Sequence, residues 1–595
     1  MKHYLAHDVR REDRPDGAIL LRSAHDPVPP DHKTSDWLHR WAAQTPDAVF
    51  LAERSGAGWR ELRYGEALER VRALAAGLLA RGHGPGARIL IISGNSVDHG
   101  VLALAAQYVG LVPVPVAEQY SLIPGALKQL SYITRLIDPD LVYAEDGSQF
   151  ATALAMDEMA GRRIVVGRNP GPGMSLLPDL ERDHADVEAA AAAVGPDTVA
   201  KILMTSGSTS NPKGVLTTQA MLCANQAQYT RALPFLSERP PRLVDWLPWN
   251  HVFGGSNNFN QMLAFGGALY IDGGKPAPAL IGKTFENNRL MNGTIAYNVP
   301  VGFAQLRDEM RRDPELKRHF FADLDMLFYA GASLPADVWR DLSDMAAEVR
   351  DTQPLITTCW GMTETAPACI FQHVPANLPG IIGVPLTGVT AKLAPAEGGG
   401  HELRVKGPNV FKGYLDNPEK TAEAFDEEGF FCTGDKVSLV DATDAKKGLK
   451  FDGRIAEEFK LTTGIWVPAS DLRLEVLAAL APLASDVVLT GEGRSEVGAM
   501  IVPAPALAQM LEARGGVCLP GEQAEEIAGR LSHLNAGRGS ATSVARVLIL
   551  SEPPSMAEGE ITAKGNLNFR KILTRRADLV ARLYDRSDET IIFVH

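Results

Sequence analysis

Cysteine is scarce: five in 595 residues, with no C-x-x-C pair among Cys223, Cys359, Cys369, Cys432 and Cys518. An odd set without that spacing excludes a closed disulfide framework and a cysteine-based zinc site, and it points to a reducing compartment. Positive charge is in deficit as well. Lys and Arg number 59 against 72 Asp and Glu, a formal charge of −13, which argues against a broad nucleic-acid-binding surface. Any polyanion must then be met by local lysines, arginines and backbone amides. Long apolar runs are missing: none approaches the roughly 20 residues of a membrane helix, and Met1–Gly17 has no apolar h-region. The expectation is a soluble cytoplasmic protein with no membrane and no nucleic-acid partner. No internal repeat of about 20–50 residues is visible either.

What is present is ordinary globular composition, 45% hydrophobic and 22% charged, in a chain too long for one core. The first 30 or so residues are charged and proline-bearing and read as an irregular lead-in. After Trp37, strands and helices alternate. Leu68, Val71, Leu74, Leu78 and Leu79 recur at helical spacing before Gly82, and Arg88–Ile92 is a buried-strand run. An alanine-rich helix follows around Val101–Val109, Gly110 stops it, and Val112–Val116 resumes extended chain. This β-α-β rhythm predicts parallel sheets covered by helices, an α/β fold. Glu188–Val194 reads as a short surface helix, Ala394–Gly400 as a turn and Asp441–Gly448 as a hairpin-type connection. A boundary near Arg454 separates residues 1–453 from a second unit, 454–595, of ordinary domain size.

The apolar strand Val199–Met204 runs directly into Thr205-Ser-Gly-Ser-Thr-Ser-Asn-Pro-Lys-Gly214. Small hydroxyl residues and glycine on a tight turn expose backbone N–H groups that form an anion nest. Thr205, Ser206, Ser208 and Thr209 add hydroxyls, Gly207 frees the backbone, and Lys213 adds a mobile charge. A flexible Ser/Gly surface loop has the same composition. A Walker A loop fits badly, because Pro212 precedes the lysine and Gly214 follows it, where Gly-Lys-Ser/Thr is needed.

The segment resembles instead the phosphate loop of the AMP-forming, adenylate-forming superfamily, and three later motifs agree in order. Trp360-Gly-Met-Thr-Glu364 resembles the second signature of that superfamily. Thr433-Gly-Asp435 resembles the third and Asp452-Gly-Arg454 the fourth. Alone, Thr-x-Glu is a helix cap and Thr-Gly-Asp a turn. The resemblance implies a large multi-subdomain adenylating domain with a small mobile α+β C-terminal domain. It implies a nucleotide site built from the loop together with Thr358, Trp360, Gly361, Gly331 and Ala332. Thr363 would bind the α-phosphate, Glu364 and Thr209 Mg²⁺, Asp435 the ribose hydroxyls, and Arg454 the ribose or phosphate. His251, in Leu247–Gly255, falls on the superfamily's substrate-lining motif, although a core histidine beside aromatics would read the same way. Trp249, Phe253, Tyr297 and Val299 are candidates for an aryl slot and equally ordinary core.

Phe451–Val467 resembles the feruloyl-CoA synthases, with Tyr329–Pro335, Thr363–Pro367 and Ala424–Phe430 in agreement. That resemblance implies ATP, Mg²⁺ and coenzyme A, and a hydroxycinnamate such as ferulate, p-coumarate or caffeate. It assigns Lys460 and Gly464 to cofactor binding, Gly464 lining the pantetheine tunnel. A fatty acyl-CoA synthetase, a carrier-protein-loading ligase and a silent family member are the alternatives, and a homodimer is left open. Two positions depart from the superfamily pattern. Ala456 stands at the usual charged hinge, with Glu457 and Glu458 next. Lys564, the expected catalytic lysine, is followed by Gly565. Lys571 is the alternative, but it lies in the basic run Arg570–Arg576 of a closing helix, which reads as a solvated face.

An ammonium that bridges carboxylate and α-phosphate serves adenylation only. Lys564→Ala is expected to slow adenylate formation by on the order of 10²-fold while transferring a synthetic acyl-adenylate to CoA normally. Half-reaction kinetics decide it; adenylation that survives in Lys564→Ala and collapses in Lys571→Ala names the other lysine.

Overall fold

The computed structural model describes residues 4–205, 212–376, 380–397, 399–513, 521–561 and 567–595. Ser206, Gly207, Ser208, Thr209 and Lys564 lie outside the described residues, as does Cys518. Among the described residues Cys223, Cys359, Cys369 and Cys432 are free thiols.

The architecture is mixed α/β, a large N-terminal part followed by a small C-terminal domain. The rhythm of Arg88–Val116 becomes an all-parallel sheet: Val112–Pro115, Arg88–Ile91, Leu141–Asp146, Arg163–Arg168 and Ser175–Leu176, in that spatial order. Its strands are apolar on both faces because helices cover them. The helix Tyr64–Ala80 buries Val71, Leu74, Ala75 and Leu78, whereas Leu68 and Leu79 sit at its rim. The helix Val97–Tyr108 starts at Ser96, whose hydroxyl accepts from the His99 amide at 3.0 Å. A second sheet orders Arg242–Asp245, Ala268–Ile271, Val49–Ser55 and Gly58–Arg63.

The third sheet has eleven strands and carries most of the site. It begins parallel, with Ile295–Asn298, Met326–Tyr329 and Leu355–Gly361, and continues antiparallel through Ala368–Phe371, Ile381–Pro385, Leu449–Arg454 and Phe431–Leu439. The carboxyl ends of the parallel strands therefore lie beside the Phe431–Leu439/Leu449–Arg454 hairpin.

The lead-in is not irregular. Val9–Asp13 and Ile19–Ser23 form an antiparallel hairpin, and Ile19–Ser23 pairs with Thr390–Pro395 to extend the large sheet. Ala18, Ile19, Leu20 and Leu21 are buried there. Charge on both sides masks this short apolar run locally, and its partner lies some 370 positions along the chain. The basic run is likewise not a solvated face throughout: Arg576 is buried and bonded to the enclosed Glu560 at 2.7 Å, with Arg575 also reaching Glu560. Burial alone would raise the Glu560 pKa; the bonds to Arg576 and Arg575 pull it down to about 2.

Residues from Phe459 to Val594 build their own cores around the sheet Ala484–Thr490, Val497–Pro503, Val544–Ile549 and Ile592–Phe593. The last strand of the large sheet, Leu449–Arg454, ends where this unit begins. Between the two, Lys436 of the large sheet bonds both oxygens of Glu458 at 2.9 and 3.1 Å, nearly enclosed.

Three histidines fasten the N-terminal segment. His7 Nδ1 meets the Lys446 carbonyl at 3.0 Å, His373 Nδ1 the Leu5 carbonyl at 2.9 Å and His25 Nε2 the Ala6 carbonyl at 2.8 Å, and the His7 and His373 rings are 4.4 Å apart. Burial pushes His7 down from 6.5 to about 4 and His373 to about 3. As pH falls below 6.5, the unfolded chain takes up protons that the folded one refuses, so stability drops until the folded-state values are reached. Melting temperature is expected to fall from pH 7 to pH 5, and less steeply in His373→Asn; identical slopes would place the loss elsewhere.

Candidate functional site

Two polar clusters and the wall between them meet at the carboxyl ends of the parallel strands. The first is on Phe431–Leu439. The Thr433 hydroxyl accepts from the Asp435 amide at 3.1 Å, and Gly434 between them has φ +70°, the left-handed conformation that suits glycine. The turn faces Asp435 into the protein. Its carboxylate is 4% exposed, accepts from Trp360 Nε1 at 2.8 Å and lies 3.5 Å from Arg454 Nε. Asp435 and Arg454 are directly paired across the two strands. Burial raises the Asp435 pKa, while Arg454 and the Trp360 indole oppose the rise. A buried carboxylate with one indole donor and a half-exposed guanidinium keeps lone pairs for further donors.

The second cluster joins residues far apart in sequence. Lys213 opens the strand Lys213–Thr218, paired through Thr205 with the end of Val199–Thr205. Its Nζ stands 4.0 Å over the Tyr414 ring, and the Tyr414 hydroxyl donates to Glu364 Oε1 at 3.0 Å. Burial lowers the Lys213 pKa, and Glu364 partly restores it. Thr363 and Glu364 sit on a single 3₁₀ turn, both buried, and the Phe411 amide donates to the Glu364 carbonyl at 2.8 Å. A lysine and a carboxylate held apart by one aromatic ring form a place for anionic oxygens and a bound cation. Tyr414 was not signalled by any motif.

Between these two clusters lies the wall. Gly361 closes so tightly on Pro367 that a Cβ would come within 1.9 Å of its carbonyl oxygen. Trp360 is buried, and Thr358 is buried beside Tyr329 in the parallel register. Gly331 has φ +87° at the end of Met326–Tyr329, and its added Cβ would meet only Val299, at 3.8 Å. Ala332 is exposed next to it.

Behind the wall, the chain from Pro248 folds His251 into a turn. Phe253–Asn258 is a π-helical turn, and Phe259–Ala264 continues it as α-helix, wholly buried. The Phe253, Tyr297 and Phe328 rings pack 4.8–5.8 Å apart, Phe253 edge-on to Tyr297 and the other two pairs tilted. Polar groups are threaded through this layer. Tyr297 donates to Gln261 Oε1 and Tyr229 to Asn257 Oδ1, each at 2.6 Å. Gln261 Nε2, by contrast, has no partner among the described residues. Trp249 packs away from this layer, edge-on to His99 and Phe259.

Two expected residues stand apart. Lys460 is exposed on the small domain, its Nζ 5.0 Å over Trp466, and Gly464 has φ +81° with open space around it. Lys571 is also exposed, at the start of Phe569–Arg575.

Comparisons with known proteins bear on the family and the fold. The sequence profile described as AMP-binding enzyme matches residues 38–415. A feruloyl-CoA synthase of an Amycolatopsis species is 28% identical over 416 residues, 68% of this chain and 76% of its own. A long-chain-fatty-acid–CoA ligase of Mycobacterium bovis is 25% identical over 589 residues, 91% of this chain and 95% of its own. Among solved structures, an anthranilate CoA ligase in complex with anthranoyl-AMP superposes with a TM-score of 0.73 at 19% identity, over 93% of this chain and 99% of that one, a likeness of fold.

Removing the Asp435 carboxylate deletes charge-assisted bonds of about 1.5–3 kcal/mol each. Asp435→Ala is therefore expected to raise the KM for ATP at least about tenfold in pyrophosphate exchange. An unchanged KM would overturn the expectation that Asp435 takes the ribose hydroxyls.

Proposed function

The chain belongs to the AMP-binding enzyme family, and on that premise we propose that it is an ATP-dependent acid–CoA ligase for a hydroxycinnamate-type aryl acid. The carboxylate attacks the α-phosphorus of ATP, pyrophosphate leaves, and the CoA thiol then displaces AMP from the acyl-adenylate. Activation is needed because a carboxylate oxygen is a poor leaving group and AMP a good one. Asp435 takes the ribose hydroxyls, with the Trp360 indole keeping its second oxygen in place. Thr363 meets the α-phosphate and Lys213 the phosphates that lie along the loop. Glu364 and Thr209 would hold Mg²⁺. No cluster of three or more metal-ligating side chains exists among the described residues, which fits an ion held by one carboxylate, phosphate oxygens and water. When bound, that ion neutralises phosphate charge. Lys564 serves the adenylating step, and Lys460 and Gly464 the CoA side.

The aryl reading is carried by one observation, the aromatic layer of Phe253, Tyr297 and Phe328 with Gln261 Nε2 left as a buried donor. Aromatic faces and edges suit a flat aryl acid, and an amide N–H without an acceptor among the described residues suits a ring hydroxyl. Val299, close after Tyr297 in sequence, faces Gly331. Similarity to a fatty-acid ligase along 91% of this chain favours a second reading, but buried amides along Asn257–Gln261 oppose a purely apolar tail.

A panel of acids with ATP, Mg²⁺ and CoA, read as AMP and thioester, tests both levels. Ferulate, p-coumarate and caffeate are expected to exceed palmitate and acetate, and p-coumarate to exceed cinnamate by about tenfold, the worth of one buried hydrogen bond. Gln261→Leu is expected to close the gap between p-coumarate and cinnamate. Palmitate turned over as well as ferulate would remove the aryl assignment and leave the adenylating chemistry standing.

A further inference from the structure

Lys201 lies in the middle of Val199–Thr205, the strand that enters the phosphate loop, and is buried. Its Nζ donates to the Gly255 carbonyl at 2.6 Å. No carboxylate among the described residues pairs with it; burial alone acts on the ammonium and pushes it down to about 7. His99, also buried, is the titratable group that feels its charge. A methionine would fill the same space without the cost of dehydrating a cation. The lysine therefore lowers stability, and its geometry gives the reason to have it.

Gly255 lies in the π-helical turn Phe253–Asn258, and such turns expose backbone carbonyls that a regular helix would use internally. Its amide donates to the His251 carbonyl at 2.8 Å, while its own carbonyl takes the Lys201 ammonium. Gly254 and Gly255 are clamped from the other side, where an added Cβ would come within 2.3 Å of the Leu247 carbonyl oxygen and 2.1 Å of that of Trp249. One residue thus connects the strand that ends at Thr205 with the turn that carries His251 and Phe253.

We propose that Lys201 is a positioning residue for adenylation, holding the His251 turn at a fixed distance from the phosphate-loop strand so that acid and nucleotide meet in line. The inference rests on the adenylating reading. Misplacement by about 1 Å costs up to 10²-fold in rate without weakening either ligand much.

The test uses the full chain as wild type, Lys201→Met and Lys201→Gln, in acid-dependent pyrophosphate exchange and thermal melting. Lys201→Met is expected to melt at or above the wild-type temperature and to lose about 10- to 100-fold in kcat. Its KM for ATP should stay within about threefold, and Lys201→Gln, which keeps an N–H donor, should recover at least about threefold over Lys201→Met. Wild-type kcat in Lys201→Met overturns the proposal. So does a loss that tracks a fall in melting temperature, or one that Lys201→Gln does not relieve. Wild-type protein without acid-dependent exchange would instead overturn the adenylating reading, and this inference with it.

Discussion

A carboxylate enclosed by protein has to be compensated, and the compensation of Asp435 organises the centre of this molecule. Its indole donor comes from the end of Leu355–Gly361, its cation from the strand Leu449–Arg454, and its own orientation from the Thr433 turn. Three segments of the large sheet must be in place together before this charge is satisfied. Arg454 is also the end of the strand Leu449–Arg454, five residues before Phe459, where the small domain's own core residues begin. One position along the strand, Lys436 bonds Glu458 beyond that junction. Neighbouring residues on one strand thus hold Trp360 and Arg454 on one side and Glu458 on the other.

The Lys213–Tyr414–Glu364 group follows a similar logic with a different result. There the lysine is not neutralised by direct contact; an aromatic face stands under it and a phenol hydroxyl bonds the carboxylate. Opposite charges kept from closing on each other retain capacity for ligand oxygens and a cation. Residues that collapse into an ion pair lose that capacity, as Arg576 and Glu560 illustrate in the small domain.

What could be read from the chain alone divides by range. The patterns Val199–Gly214, Trp360–Glu364 and Thr433–Asp435 are written in adjacent residues, so the motifs are legible locally, although the partners of Asp435, Lys213 and Glu364 come from distant segments. The parallel rhythm of Arg88–Val116 was legible for the same reason: strand and helix periods are written in adjacent residues. Long-range pairing was not. The Val9–Ser23 hairpin needs an edge supplied by Thr390–Pro395, and Tyr414 reaches Lys213 and Glu364 only after the sheet has formed. Nothing in the sequence around Lys201 or around the amides of Asn257–Gln261 marks them as buried. Composition assigns such residues to the surface, and only the packing of neighbouring elements reveals their burial.

One of the two terminal strands of the large sheet, Val9–Asp13, reads Val-Arg-Arg-Glu-Asp and, among the described residues, leaves its far side unpaired within that sheet. An eleven-stranded sheet with an apolar final strand would present a ready template for another chain's backbone. Here the last row is nearly all charge of both signs, so a second sheet would have to strip water from four ionic side chains to add itself. The hairpin that a local reading leaves as irregular lead-in therefore gives this edge of the sheet a charged last row, which opposes edge-to-edge pairing there.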